Sequence, residues 1–214
     1  MDRNSTARSE ISENNKIYLP VMNIIHYTTD LFEIRLERFG IEFEPGECVA
    51  IYLEDNETFR EYSIASGNRD PYLSFLIKHL EHGRVTEYLQ KRVPGDVIRL
   101  SHPYGEFRPG RQHKNGEFIF IATGTGIAPF QSYIRSYPGD PPLRFLYGIR
   151  RIEESVNLES IRKICPVEVA ISSQNLEGYH YGRVTDLIPG FPIEPDIHYY
   201  LCGLDTMIDD VTAA

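Results

Sequence analysis

Arg60-Glu61-Tyr62-Ser63 sets three complementary side chains within four residues. Arginine offers a permanently charged, two-pronged donor to phosphate. Tyrosine offers an aromatic face to a flat heterocycle, and a serine hydroxyl can meet a ring nitrogen or oxygen. On an extended strand Arg60 and Tyr62 share a face, while Ser63 points the other way unless the strand bends. Taken alone, a half-buried strand with a surface arginine is the simpler account.

Two further segments suit phosphate. Gly83-Arg84-Val85-Thr86 opens a predicted helix, where first-turn N–H groups and the Thr86 hydroxyl can meet an anion; plain helix capping by Thr86 is the alternative. Gly124-Thr125-Gly126 follows an apolar run and precedes a helix, a setting in which glycine lets backbone N–H groups approach a pyrophosphate. The third glycine of the common dinucleotide fingerprint is missing, so a plain strand-to-helix turn stays open. Cys202 ends an apolar run just before Gly203, where open α/β sheets hold ligands, although most cysteines so placed are inert. The order of these pieces fits a protein that holds a flavin first and a pyridine nucleotide second, and so moves electrons.

Other chemistries find little support. His79 and His82 stand three apart with no carboxylate cluster to complete a metal set, and no serine sits in a nucleophile elbow. The three cysteines, Cys48, Cys165 and Cys202, are too dispersed for a disulfide framework or an iron–sulfur cluster, so any second redox centre lies on another molecule. A net charge of −9 argues against a general nucleic-acid binder.

The elements that must position these residues fall into two groups, as expected for 214 residues of which 41% are hydrophobic. Residues 1–15 are polar and read as a disordered tail without a secretory core, which makes the cytoplasm the expected compartment. Residues 16–112 carry short alternating apolar runs, predicting strands at 17–27, 31–38, 48–53, 61–64, 72–78 and 97–102 and a capping helix over 84–92. The polar segment 108–116 marks the boundary. Residues 113–214 then alternate strands (118–122, 143–148, 167–172, 198–201) with helices (129–136, 155–163), the pattern of an α/β domain. Residues 208–214 look like the first turns of a last helix. No apolar run approaches the ~20 residues of a membrane span.

In this order the chain resembles the ferredoxin-NADP reductase family of flavoproteins over about residues 16–207. Arg60-Glu61-Tyr62-Ser63 is similar to its Arg-x-Tyr-Ser/Thr motif and Gly83-Arg84-Val85-Thr86 to its Gly-x-x-Ser/Thr motif. His102-Pro103-Tyr104-Gly105-Glu106-Phe107 is similar to its Gly-Pro-x-Gly-x-Phe, with His102 in place of glycine. Gly124 to Pro129 and Cys202-Gly203-Leu204-Asp205-Thr206-Met207 are similar to its two nicotinamide-side motifs. The resemblance implies an N-terminal antiparallel Greek-key β-barrel that binds FAD, followed by a parallel α/β nucleotide domain. It assigns flavin contacts to Arg60, Tyr62, Ser63, Ile77, Lys78, Gly83, Val85 and Thr86. It assigns nucleotide contacts to Gly124, Thr125, Gly126, Pro129, Arg150, Arg183, Cys202 and Gly203, with Ser63 and Cys202 nearest the reaction.

The implied activity is hydride transfer between NAD(P)H and FAD, with single electrons passed to or from a ferredoxin, a flavodoxin or an oxygenase component. A free-flavin, quinone or ferric-chelate reductase, or a redox-inactive flavin-binding module, is the alternative. Ser172-Ser173 stands where NADP-using relatives carry Ser-Arg, yet Arg150 and Arg183 remain and Ser173 is not acidic, so the expected coenzyme is NADP, with NAD as the alternative. Relatives continue to an aromatic residue stacked on the flavin; with the last residue at Ala214, the expectation is an α/β domain truncated at its C-terminal end.

Overall fold

The computed structural model describes residues 16–55, 57–109, 117–189 and 196–213. The predicted tail 1–15 and the predicted boundary at 112/113 lie outside them. The first unit runs β1 (Lys16–His26), β2 (Leu31–Glu37), β3 (Cys48–Tyr52), β4 (Phe59–Ser63), β5 (Tyr72–Lys78), α1 (Arg84–Gln90) and β6 (Val97–Ser101). The second runs β7 (Glu117–Thr123), α2 (Ala128–Ser136), β8 (Arg144–Ile149), α3 (Leu158–Arg162), β9 (Val167–Ile171), β10 (His180–Tyr181), β11 (Ile197–Cys202) and α4 (Asp205–Ala213).

The strands of the first unit pair antiparallel in the order β4-β3-β6-β1-β2-β5, and an Ile64–Phe75 bridge closes the sheet into a barrel. Alternation along β5 shows how one strand serves two cores. Leu73, Phe75 and Ile77 point into the barrel, with Phe32, Ile34, Leu36 and Ile98, while Leu76 joins the core of the second unit.

The second unit is a parallel sheet in the order β10-β9-β8-β7-β11. Its central strand β7 is apolar along its length because both faces are covered. Phe118, Phe120 and Ala122 face α2 and α3, and Ile119 and Ile121 face the layer that holds Met207 of α4.

The two units share packed surface. Phe107, at the end of the barrel chain, meets Phe130 and Tyr200 edge-on, with ring centroids 5.9 and 6.0 Å away. Helix α2 buries even its polar residues against the β4–β5 connection. Ser132 Oγ donates to the Ser66 carbonyl (2.7 Å), Gln131 Nε2 donates to the Ala65 carbonyl (3.3 Å), and Ser136 Oγ accepts the Asn68 N–H (2.8 Å). Arg135 adds an ion pair to Asp70 at 2.7 Å and donates to the Tyr72 hydroxyl at 2.8 Å.

The predicted strands are found with ends displaced by a residue or two, and the predicted helix over 155–163 is confined to Leu158–Arg162, with a short 3-10 turn at Ile152–Glu154 ahead of it. The last helix starts at Asp205, ahead of the expected 208.

Because Phe107 is half-buried, Phe107→Ala is expected to cost about 2 to 3 kcal/mol, below the range for fully enclosed phenylalanines. Denaturant unfolding of the variant should separate into a barrel transition and an α/β transition; one transition at the parental midpoint would show that the ring does not couple the units.

Candidate functional site

A cleft of about 1000 Å³ lies between the units. That is the upper end of the range for small-molecule sites. On the α/β side it opens at the carboxyl ends of the strands. The chain proceeds from β7 outward through β8 and β9 to β10, then crosses back to place β11 on the other side of β7. The crevice at such a reversal is where open α/β sheets bind ligands.

Gly124-Thr125-Gly126 and Cys202-Gly203 meet at that reversal, and their glycines answer to each other. A Cβ on Gly126 would lie 2.2 Å from the Cys202 carbonyl oxygen, and one on Gly203, whose φ is +147°, would lie 2.0 Å from Thr123 Oγ1. Thr123 Oγ1 instead accepts the Leu204 N–H at 2.9 Å. Close backbone packing therefore accounts for Gly126, in addition to any approach by a phosphate.

On the barrel side the wall is β4. It pairs with β3 alone, and the Ile64 N–H to Glu47 carbonyl bond (3.0 Å) sets the phase of the ladder. Arg60 and Tyr62 then bond toward β3, so the backbone N–H and C=O groups of Glu61 and the N–H of Ser63 turn away from β3 toward the cleft, while the Ser63 carbonyl serves the Ile64–Phe75 bridge. All four residues of this motif line it. The Arg60 guanidinium donates to the neighbouring Phe59 carbonyl (2.8 Å), which leaves its other donors exposed. The Tyr62 ring leans on the barrel core, and burial pushes its hydroxyl up to about 12. It therefore presents a neutral aromatic face.

Lys78, Gly83, Val85 and Thr86 complete the barrel wall, and Thr125, Arg150 and Arg183 line the nucleotide side with Gly124, Gly126, Cys202 and Gly203. Two expected contacts do not reach the cleft through their side chains. Ile77 is fully buried in the barrel, because adjacent strand residues face opposite ways and Lys78 takes the cleft side, and Pro129 is buried in the first turn of α2. Thr86 lines the cleft, but its hydroxyl donates to the Gly83 carbonyl (2.9 Å) and accepts the Leu80 N–H (3.2 Å), so its hydrogen is committed to the turn before α1, and no side chain caps the helix. At Cys202 burial raises the thiol to about 11. It is a neutral thiol at physiological pH and not a thiolate nucleophile.

Several cleft residues escaped sequence reasoning. Arg84 donates to Thr58 Oγ1 and pairs with Asp55, both at 3.0 Å, which fastens the β3–β4 turn to the start of α1. Asp55 is held down at about 2, first by the Thr58 N–H and then by the Thr58 hydroxyl. The Asp-x-x-Thr spacing carries that local signal; the Arg84 partner does not. Glu154 enters the cleft on an ion pair with Lys78, 76 residues away in sequence. Five cations (Arg60, Lys78, Arg84, Arg150, Arg183) face three carboxylates (Glu61, Glu154, Asp210) in the lining. Asp30 and Asp55 pair with Lys78 and Arg84 from outside the lining, which leaves Arg60 and Arg150 as the lining cations without a carboxylate partner among the described residues, and these suit an anionic ligand.

The family model of the oxidoreductase FAD-binding domain matches residues 12–108, and that of the oxidoreductase NAD-binding domain matches residues 120–213. The chain belongs to the ferredoxin-NADP reductase family. It is 30% identical over 212 residues to the reductase component of propane 2-monooxygenase from Rhodococcus jostii (strain RHA1), covering 88% of this chain and 56% of that protein. It is 27% identical over 219 residues to the ferredoxin–NADP reductase of Azotobacter vinelandii, covering 89% of this chain and 85% of that one. A ferredoxin NADP+ reductase from Neisseria gonorrhoeae, solved with bound FAD and NADP, shares the fold with a TM-score of 0.84 at 18% identity, over 94% of this chain and 90% of that chain.

The cysteines give a pH prediction. Burial raises Cys165 and Cys202 from 9.0 to about 11, so thiols of the unfolded chain ionise first as pH rises. The stability they contribute is intact below about pH 9 and is lost progressively toward about pH 11. Denaturant midpoints should fall across that window, less steeply in the Cys165→Ala/Cys202→Ala variant; parallel slopes would show that these thiols carry none of the effect.

Proposed function

We propose that this chain is an FAD-dependent NAD(P)H oxidoreductase that exchanges electrons with a ferredoxin, a flavodoxin or an oxygenase component. The observation that carries this reading is the single cleft in which the edge of β4 faces the β7–β11 reversal, so that a ring held on one wall adjoins a ring held on the other. The residues fit FAD: an arginine with free donors, a neutral aromatic face and turned-in backbone groups meet the phosphate, ring and ring-edge requirements of that cofactor. When bound, FAD supplies a ring that accepts a hydride and releases its electrons singly. The chain's own residues orient and enclose: Arg60 binds phosphate, Tyr62 packs on the ring, Ser63 offers its hydroxyl and backbone at the ring edge, and Cys202 lines the reversal as an uncharged group.

We infer NADPH over NADH as the reductant. Arg150 and Arg183 are exposed on the nucleotide wall near Ser172. Arg183 Nη1 lies 3.8 Å from Asp210, a contact weak enough for a phosphate to replace. The relatives named as ferredoxin–NADP reductases and oxygenase reductase components support this partner class, and cytoplasmic location is part of the same proposal.

Purified protein loaded with FAD should be yellow and should bleach when NADPH is added without oxygen; retained colour with no bleaching by either nucleotide would reduce the protein to a flavin-binding module. Arg60→Ala should weaken FAD retention by about 1.5 to 3 kcal/mol, the value of a charge-assisted contact, and unchanged retention would remove Arg60 from the site. Arg183→Ala should raise the KM for NADPH and leave that for NADH nearly unchanged, whereas equal rises would show that Arg183 does not read the extra phosphate.

A further inference from the structure

Lys78 ends β5 where the barrel confronts the nucleotide domain. Its ammonium is shared by two carboxylates, Asp30 in the β1–β2 turn and Glu154 in the loop after β8, each at 2.9 Å. The Glu154 contact passes from one domain to the other, and both of its members line the cleft. Burial alone would lower the Lys78 pKa; the hydrogen bonds with Asp30 and Glu154 outweigh it and raise the net value, so the ammonium stays charged.

Glu154 is anchored from behind. Its second carboxylate oxygen accepts the Arg150 N–H at 3.2 Å. Its carbonyl accepts the Tyr147 hydroxyl at 3.4 Å, and that hydroxyl also reaches the Gly124 carbonyl at 3.2 Å. The carboxylate therefore stands beside the Arg150 N–H and the Lys78 ammonium, a negative charge fixed amid groups suited to phosphate, while the backbone of Glu154 is tied through Tyr147 to the turn that opens α2. The side chains of Lys78 and Glu154 keep 32% and 16% of their exposure, so solvent screens the pair and it can exchange.

We propose that Glu154 is an affinity-setting residue that competes with the phosphates of the nicotinamide dinucleotide for Lys78. This rests on the nucleotide reading given above. A phosphate oxygen entering the cleft displaces the carboxylate from the ammonium, one charge-assisted contact replacing another. The released carboxylate keeps its Arg150 N–H bond while the Glu154 carbonyl keeps the Tyr147 hydroxyl, so the cost of separating it from the Lys78 ammonium is carried by nucleotide binding and keeps affinity moderate. Lys78 lies on the barrel side, whereas Arg183 and Ser172 belong to the α/β side, so the competition concerns the phosphates common to both coenzymes.

The test is a double-mutant cycle on the FAD-loaded protein, with NADP+ and NAD+ dissociation constants read from flavin difference spectra and from calorimetry. Glu154→Gln keeps an oxygen for the Arg150 N–H and removes the charge. It should tighten both NADP+ and NAD+, by roughly threefold or more at low ionic strength, with the gain shrinking as salt is added. Lys78→Met should weaken both, and in that background Glu154→Gln should lose most of its effect. Unchanged or weaker binding in Glu154→Gln, or the same gain without Lys78, overturns the competition while leaving the oxidoreductase reading in place. If the FAD-loaded parent binds neither nucleotide, both readings fall together.

Discussion

The site depends on the docking of α2 against the connection between β4 and β5. That connection begins one residue beyond Ser63, so whatever holds it also holds the flavin-side wall. Ser132 and Gln131 grip two consecutive carbonyls, those of Ser66 and Ala65, while Arg38 takes the Asn68 and Asp70 carbonyls from the barrel side at 2.7 and 3.0 Å. The opposite end of α2 begins at the Gly124 turn. One rigid nine-residue helix thus spans from the nucleotide wall to the root of the flavin wall, and its length sets the separation of the two.

Polar bonds at this buried junction add direction to burial. Apolar surface alone would let the domains slide, whereas three hydrogen bonds from one helix face fit one register. Phe107 supplies the apolar counterpart on the neighbouring side, closing the barrel chain against Phe130 and Tyr200. With both contacts in place the cleft is bounded by parts that move together.

Much of this architecture can be read in the residue pattern because local rules govern it. Alternation marked the barrel strands, and the unbroken apolar run 118–122 marked a strand covered on both faces. The Arg-x-Tyr-Ser and Gly-Thr-Gly segments lie on the cleft because each sits at an element end whose geometry its own residues dictate. What escaped was set by distant partners. Nothing near Lys78 in sequence announces Glu154, and nothing near Arg84 announces Asp55, since both pairs form only when the barrel closes and the domains meet. The resemblance groups Ile77 with Lys78, although the period of a strand sends them apart. The Thr86 hydroxyl and the Cys202 thiol were legible by position but not by state, because hydrogen-bond commitment and burial decide what each can do.

The one-sided pairing of β4 has an evolutionary consequence. Where a ligand edge is met by main-chain donors and acceptors, the recognition is carried by atoms that every residue possesses. The side chain at Glu61 can then drift to suit a new electron partner or redox potential without dismantling the platform, and a fold can diversify its acceptors while its cofactor grip stays constant.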